Sequence, residues 1–463
     1  MQLSSIARAL PAHLCACLVA ASCLGLLGCA ASGPKEPAWP PRAKQWFDRA
    51  SASYRQVDLD DAQAAVDNAL RLAPSRDEVR ILAARIALAR LECDRAVQLT
   101  KGMASSDARA IRGRSLWYSY RVEQAADELE KLLADPDVRD PWAEETVKLA
   151  RRGAGREPFK MAGGLLAVTE MPHVAATALV VPVEINGEPA LALIATNVPE
   201  AVIDSSNGAE PSWISLRFGE QIEVDDVPAL AQDLSGVSRQ LNAPIKLLLG
   251  VNLLRHLHPT VDFAGHQFVV RSFDPPPPPQ ATTVKLGYVR GGGMVLRGAL
   301  GVSESAPWAS LLVDTSMTFP LALDAGGWKK AGLDASKLEP VPHAASIRHG
   351  FVPLLRIGAF EVPQVPGVSA TATDELEKAL GVELDGFAGS GLLAAFRVTL
   401  VDGGRTMWLE DMPAGAVPPG GVQPPIADSP ESDAQAVEPD TDSPETEGSE
   451  GAPAAESGGS DEP

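Results

Sequence analysis

Leu248-Leu249-Gly250-Val251-Asn252-Leu253-Leu254 and Phe387-Ala388-Gly389-Ser390-Gly391-Leu392-Leu393 decide the architecture, because they are matching segments 139 positions apart. Their surroundings repeat at the same offset. Leu216-Arg217-Phe218-Gly219 returns at that offset as Leu355-Arg356-Ile357-Gly358, and the Val227-Pro228 that follows returns one position earlier, as Val365-Pro366. Pro259-Thr260-Val261-Asp262-Phe263 returns as Val398-Thr399-Leu400-Val401-Asp402. Between the copies stand five consecutive prolines, Pro275 to Pro279. Such a run is a stiff polyproline II spacer and cannot join a ladder. Two copies of one unit on either side of a stiff connector predict a bilobal body. From Gly164 onward, valine- and leucine-rich runs alternate with glycine and proline, which are strand and turn signals. The clearest is Val180 to Ile185, Asn186-Gly187, then Ala190 to Ile194, where Asn-Gly supplies the positive φ angles of a tight hairpin.

Leu311-Leu312-Val313-Asp314-Thr315-Ser316 resembles the active-site turn of aspartic peptidases. Phe387-Ala388-Gly389 is similar to the second half of that signature, and Phe396 to Asp402 to the end of bacterial retropepsin-like domains. The resemblance covers residues 164–273 and 282–411, joined by a linker at 274–281. It implies a bilobal retropepsin-like or pepsin-like fold, with Asp314 as a candidate catalytic carboxylate in a turn completed by Thr315 and Ser316. It also implies that Gly250 and Gly389 are structural loop glycines and that a threonine from each lobe braces the two turns. Such enzymes need two close carboxylates that share one proton, since like charges at that separation cannot both ionise. Counting back 119 positions from Asp314-Thr315-Ser316 reaches Ala195-Thr196-Asn197. The partner turn is therefore degenerate, with alanine where the second carboxylate belongs. A lone aspartate holds water, but nothing supplies the complementary acid. Asp204 is a possible substitute, although it is expected past the cleft, beyond Ala201-Val202-Ile203. A plainer reading makes Asp314 a turn-capping residue of an ordinary β protein.

The change of offset from 119 to 139 places about 20 extra residues in the second lobe, among them Trp328, His343 and His349. They form either a lid or plug at the cleft or a surface excursion. His256 and His258 alternate as strand residues do, but no third ligand stands near them, so no metal site and no cofactor is expected. Gly291-Gly292-Gly293 precedes a strand rather than a helix and reads as a flexible turn, not a phosphate loop.

Residues 43–152 read as helical throughout. Trp46, Ala50, Ala62, Ala69 and Pro74 sit at tetratricopeptide spacing, and Ala96 follows Ala62 by 34 residues. A weaker third unit contains Gly113, Ala125 and Leu132. Such an array offers a groove for a peptide or protein partner, or serves as a spacer.

Leu14 to Leu27 is an apolar run of 14 residues after a single arginine, Arg8, which is short for a membrane span and fits a signal segment over residues 1–28. Leu26-Leu27-Gly28-Cys29 resembles the lipobox of bacterial lipoproteins, which implies lipidation of Cys29 and a membrane anchor through buried methylenes. An ordinary secretion signal or short anchor with a chance cysteine is the alternative. Ala30, in place of aspartate, resembles sorting to the outer membrane, facing the periplasm of a bacterial envelope. A proline-rich linker over residues 29–42 follows. Cys93, the fifth and last cysteine, reads as a buried helix residue.

The formal charge is −20, from 40 basic and 60 acidic residues, which argues against nucleic acid or an anionic lipid surface as a main partner. Twelve of the acids lie in residues 413–463, which lack lysine and arginine. This tail, residues 412–463, has ten prolines and seven glycines and is expected to be disordered. It either keeps the surface solvated or meets a basic partner.

The expected fold class is thus multidomain, α plus mostly β, with a tetratricopeptide-like array, two duplicated aspartic-peptidase-like lobes and a disordered acidic tail. The leading expectation for function is a lipid-anchored pseudo-peptidase that binds a peptide or protein partner without efficient cleavage. Two alternatives stand beside it. One is an active aspartic endopeptidase using Asp314, through a homodimer or an unrecognised second carboxylate. The other is a structural envelope assembly protein.

Overall fold

The computed structural model describes residues 38–174, 177–341, 344–369 and 373–411. The expected signal segment, Cys29, most of the first linker, His343 and the acidic tail lie outside the described residues.

Among the described residues, seven helices precede the first strand: α1 (Pro41–Arg55), α2 (Leu59–Leu72), α3 (Asp77–Ala89), α4 (Cys93–Thr100), α5 (Ser106–Tyr118), α6 (Val122–Leu133) and α7 (Pro141–Arg152). Their starts are chemically marked. Pro41 and Pro141 stand in the first turn, where a missing N–H costs nothing. The side chains of Asp58, Ser105 and Asp140 accept hydrogen bonds from N–H groups of the first turns of α2, α5 and α7. Fully buried Ala50, Ala62, Ala69, Ala96 and Ala125 let the helices approach closely. At Gly113 the approach is tightest, since a Cβ there would lie 2.5 Å from Leu129 Cδ2. Cys93 is a free, buried thiol at the start of α4.

The first lobe holds β1 (Lys160–Gly163), β2 (Leu166–Glu170), β3 (Val180–Ile185), β4 (Glu188–Ile194), β5 (Ala201–Asp204), β6 (Ser212–Phe218) and β7 (Ile222–Gln232). Helix α8 (Ser235–Leu241), β8 (Ile245–Leu249), helix α9 (Val251–Leu257), β9 (Thr260–Asp262) and β10 (Gln267–Arg271) complete it. The second lobe runs through β11 (Thr282–Val289), β12 (Gly293–Leu300), β13 (Trp308–Asp314), β14 (Leu321–Leu323), α10 (Ala325–Lys330), β15 (Glu339–Val341), β16 (Ala344–Ile357) and β17 (Phe360–Ser369). It ends with α11 (Asp374–Leu380), β18 (Gly386–Gly389), α12 (Ser390–Leu393), β19 (Phe396–Val401) and β20 (Thr406–Asp411). Asn186 and Gly187 carry φ of 52° and 86°, as the tight β3–β4 hairpin requires.

Among the described residues, seven strands form one sheet, in the order β1-β7-β5-β8-β4-β3-β6. Thirteen form the other, β15-β16-β17-β14-β18-β13-β12-β11-β20-β19-β9-β10-β2. The second sheet crosses between the lobes, because β9 of the first pairs antiparallel with β19 of the second. A single apolar core containing Ile194, Leu249, Leu254, Val313, Ala388 and Leu392 runs through both lobes.

The helical array is docked onto this body. Val57 and Leu59 close on Gly287, where a Cβ would meet each of them at 3.0 Å. Tyr54 and Ala50 share one buried cluster with Val289, Val295 and Leu312. Ser310 Oγ donates to the Gln56 carbonyl at 2.8 Å, and Trp213 Nε1 donates to the Leu149 carbonyl at 2.9 Å. Arg297–Asp58 and Lys285–Asp60 ion pairs, at 2.8 and 2.6 Å, line the rim. The face of the array formed by residues of α1, α2, α3, α5 and α7 therefore meets the chain's own β lobes. This is the face that sequence reading leaves open between a partner's groove and a spacer.

Candidate functional site

Each turn of interest sits at the end of a strand laid parallel to a glycine-ended strand. In the first lobe Ile194 pairs with Leu249, so the next pair along would be Ala195 and Gly250. In the second lobe Val313 pairs with Ala388 and Asp314 with Gly389. The registers make Ala195 the positional counterpart of Asp314. The glycines are required by the crossing of chains. A Cβ on Gly250 would lie 2.0 Å from the Glu200 carbonyl oxygen, and one on Gly389 would lie 2.1 Å from that of Phe319. The symmetry continues beyond them. Val251 N donates to the Val198 carbonyl at 3.0 Å, and its counterpart Ser390 N donates to the Met317 carbonyl at 2.9 Å.

The two buried threonines hold the turns together. Thr196 Oγ1 donates to the Val313 carbonyl at 2.8 Å, and Thr315 Oγ1 donates to the Ile194 carbonyl at 2.8 Å. Each hydroxyl also accepts from the other residue's N–H, at 3.1 Å in both directions. Both hydroxyls and both N–H groups of this pair are used across the lobes. Thr315→Val keeps the shape but removes an acceptor from Thr196 N and a donor from the Ile194 carbonyl. It is expected to cost about 2 kcal/mol in a urea titration, about 1 kcal/mol for each neutral bond. An unchanged midpoint would show that water replaces the grip.

Asp314 is half-buried, next to the threonine grip between the lobes. Its Oδ1 accepts from Ser316 Oγ at 2.5 Å and Ser316 N at 3.0 Å. Opposite it, Ala195 is buried and carries no polar group. Asn197 is exposed and donates through Nδ2 to Ser316 Oγ at 3.4 Å. A hydrogen-bonded carboxyl group and a methyl group thus occupy the matching positions on either side of the grip. The arrangement can hold water and accept hydrogen bonds from a ligand's backbone, but it has no second carboxyl to share a proton.

The structure separates the other candidate residues from this pair of turns. Asp204 accepts from Lys246 Nζ at 2.7 Å, from Ser206 Oγ and N, and from Leu234 N. Burial opposes its ionisation, but the lysine and those donors hold its carboxyl well below the usual range. It is committed to that cluster. His256 and His258 are not strand residues: His256 lies on α9 and His258 is its left-handed C-cap at φ 41°. His256 stacks on Phe159 with ring centres 4.6 Å apart, and burial lowers its pKa to about 4. His258 Nδ1 lies 2.7 Å from Asp274 Oδ1. Among the described residues no group of three or more His, Cys, Asp or Glu is placed to hold a metal ion.

The extra segment of the second lobe is split in role. Trp328, on α10, is completely buried in the main core, beneath Gly350 and Gly367, so it anchors the segment and does not plug the cleft. Beyond it, β15 and β16 form a hairpin whose residues Ser346 to Arg348 are exposed on both faces. His349 lies on that hairpin, with Nε2 3.9 Å from Glu339 Oε2. Gly291-Gly292 is a packed turn rather than a free one, wedged against Tyr118 and Pro199.

Sequence reading misses the polar centre behind the Ala195 turn. Glu200 is 1% exposed. Trp117 Nε1 and Trp142 Nε1, from the helical array, donate to its Oε1 at 3.1 and 3.3 Å, and Asn252 Nδ2 donates to Oε2 at 3.2 Å. Arg255 donates in turn to Asn252. Burial pushes the Glu200 carboxyl above the usual range, while these donors and Arg255 oppose the rise. The lone signal in the sequence is an acid placed among apolar and proline residues five positions after Ala195.

No protein family matches the chain, and no curated protein matches it. Solved structures with partial likeness exist for both halves. The TPR domain of Arabidopsis OM64 is 17% identical and covers 24% of this chain and 95% of its own, at a TM-score of 0.22. A retropepsin-like aspartic protease from Rickettsia conorii is 17% identical, covering 28% of this chain and 91% of its own, at a TM-score of 0.21. The aspartic proteinase from Irpex lacteus is 11% identical, covering 53% and 97%, at a TM-score of 0.32. The likeness is low and partial, and the chemical reading rests on the threonine grip and the two turns.

Proposed function

We propose that the protein is a lipid-anchored envelope protein whose aspartic-peptidase-like cleft holds a peptide or an extended segment of a protein partner without efficient cleavage. The observation that carries this reading is the methyl group of Ala195 at the position opposite Asp314, across a grip that is otherwise complete. The threonine grip and the two strands ending in glycine are present. The second carboxylate is not, and Asp204 is bound elsewhere. A homodimer would bring two copies of Asp314 together only by displacing the first lobe, because the Thr315 bonds are made within one chain.

The test is a proteolysis assay across acid and neutral pH on wild type and Asp314→Ala. Both are expected to leave casein and unfolded peptide substrates intact. Robust cleavage by wild type that Asp314→Ala abolishes would favour the active endopeptidase instead. The anchor is tested separately. Wild type is expected to incorporate labelled lipid and to sediment with membranes, whereas Cys29→Ser is expected to take up no lipid. Undiminished labelling of Cys29→Ser would remove the lipoprotein reading and the outer-membrane, periplasm-facing location proposed with it.

A further inference from the structure

Asn197, which reaches Ser316 across the lobes, also lines a recess of about 230 Å³ where the helical array meets both lobes. Tyr118 and Trp142 wall it from α5 and α7, Leu376 from α11, and Arg290 from the β11–β12 turn. Arg114 lines it too, but its guanidinium is taken by Asp140 at 2.9 Å and lies 4.2 Å over the Trp142 ring. Arg290 is different. Among the described residues it makes no hydrogen bond and no ion pair. It sits at φ 52°, next to Gly291, whose contact with Tyr118 fixes the turn. Burial and the nearby Arg114 hold its guanidinium below the ordinary value, while Asp140 and Tyr54 oppose that shift. Its side chain is exposed, and the partner that suits a guanidinium best is a carboxylate bound through two parallel N–H groups.

We propose that this recess takes the free C-terminal carboxylate of a peptide lying in the cleft, with Arg290 as its partner. The inference rests on the peptide-binding reading given above and adds which end of the ligand is read. Asn197 lines the recess, and α5 and α7 stand along its wall. Its volume is below the roughly 300 Å³ at which drug-sized ligand pockets begin, so it fits a terminal residue better than a continuing chain. Tyr118, Trp142 and Leu376 supply apolar contact for that residue's side chain, and the guanidinium supplies the charge.

The experiment is fluorescence anisotropy on the full chain with dye-labelled, randomised peptide pools. One pool has a free C-terminal acid, one a C-terminal amide, and one an amide with glutamate fixed next to the end. The acid pool is expected to bind at least about tenfold more tightly than the amide pool, a difference worth about 1.4 kcal/mol. Arg290→Gln is expected to erase that preference without shifting the melting temperature, and Arg290→Lys to keep part of it. Equal binding of acid and amide pools, or a preference that survives Arg290→Gln, overturns the inference while leaving peptide binding intact. A glutamate pool that matches the acid pool shows that a side-chain carboxylate is read, which overturns the terminal assignment. Failure of every pool to bind sinks the peptide-binding reading together with this one.

Discussion

Glu200→Leu is expected to destabilise the protein by about 3–5 kcal/mol, measured by urea unfolding near neutral pH. The substitution nearly preserves volume but strands the indole N–H groups of Trp117 and Trp142 and the Asn252 amide, all of which point at Glu200 from packed positions. It also removes the carboxyl group that faces buried Arg255. Orphaned buried donors cost roughly 1–3 kcal/mol each, and an uncompensated buried charge costs roughly 3–5 kcal/mol. Glu200→Gln keeps one acceptor and is expected to cost less, about 1–2 kcal/mol at low pH. The pH dependence has a definite sign. A carboxyl raised in the folded state contributes stability below its unfolded pKa, and that contribution is lost as pH climbs through the folded value. The difference between wild type and Glu200→Gln is therefore expected to shrink as pH rises above the ordinary glutamate value of 4.5. A Glu200→Leu cost below about 1 kcal/mol would mean that water reaches these donors and that the two domains are not locked there.

Ala195→Asp is expected to create a coupled pair with Asp314. The registers place residue 195 opposite Asp314, and the threonine grip fixes the two turns. Two carboxyls so placed titrate together, one low and one raised, because the second must ionise beside an anion. The raised step removes stability as pH climbs from the unfolded to the folded value, at about 1.4 kcal/mol for each pH unit between them. A loss on the order of 3 kcal/mol between acid and neutral pH is therefore expected. Weak acid-range proteolysis is a further expected outcome, limited by Asn197 in place of the usual glycine. The double variant Ala195→Asp/Asp314→Ala should lose both properties. An Ala195→Asp protein whose stability follows pH as wild type does would show that residue 195 does not face Asp314.

The parts of this site that are legible in the sequence are those written locally and twice. Gly250 and Gly389 are visible because a crossing chain leaves no room for a Cβ, so the same short pattern recurs at a fixed offset. The alignment of Ala195 with Asp314 needs only counting between such markers, and Thr196 and Thr315 come with it. What escapes is assembled from distant segments. Nothing near Glu200 announces that Trp117, 83 residues earlier, will reach it from another domain. Trp328 gives no sign that it will lie under Gly350 and Gly367 and not over the cleft, because burial depends on a strand pair formed later in the chain. His256 and His258 look like alternating strand residues over too short a window. Seen across Val251 to Leu257, the apolar residues follow the helical period that α9 adopts.

The antiparallel pairing of β9 with β19 bears on how the chain is born. When synthesis has passed the proline run, the first lobe has nearly all of its residues, yet Val261 must wait for Val398 to arrive before its ladder closes. Thr196 waits as well, since the Val313 carbonyl belongs to a strand not yet made. Until then the nascent lobe carries an open sheet edge, which is a template for pairing with other chains. Closure over so long a sequence separation is intrinsically slow. The first lobe is therefore dependent on the second for completion, and a chain truncated at the proline linker is expected to be an aggregation-prone fragment rather than a half-size protein.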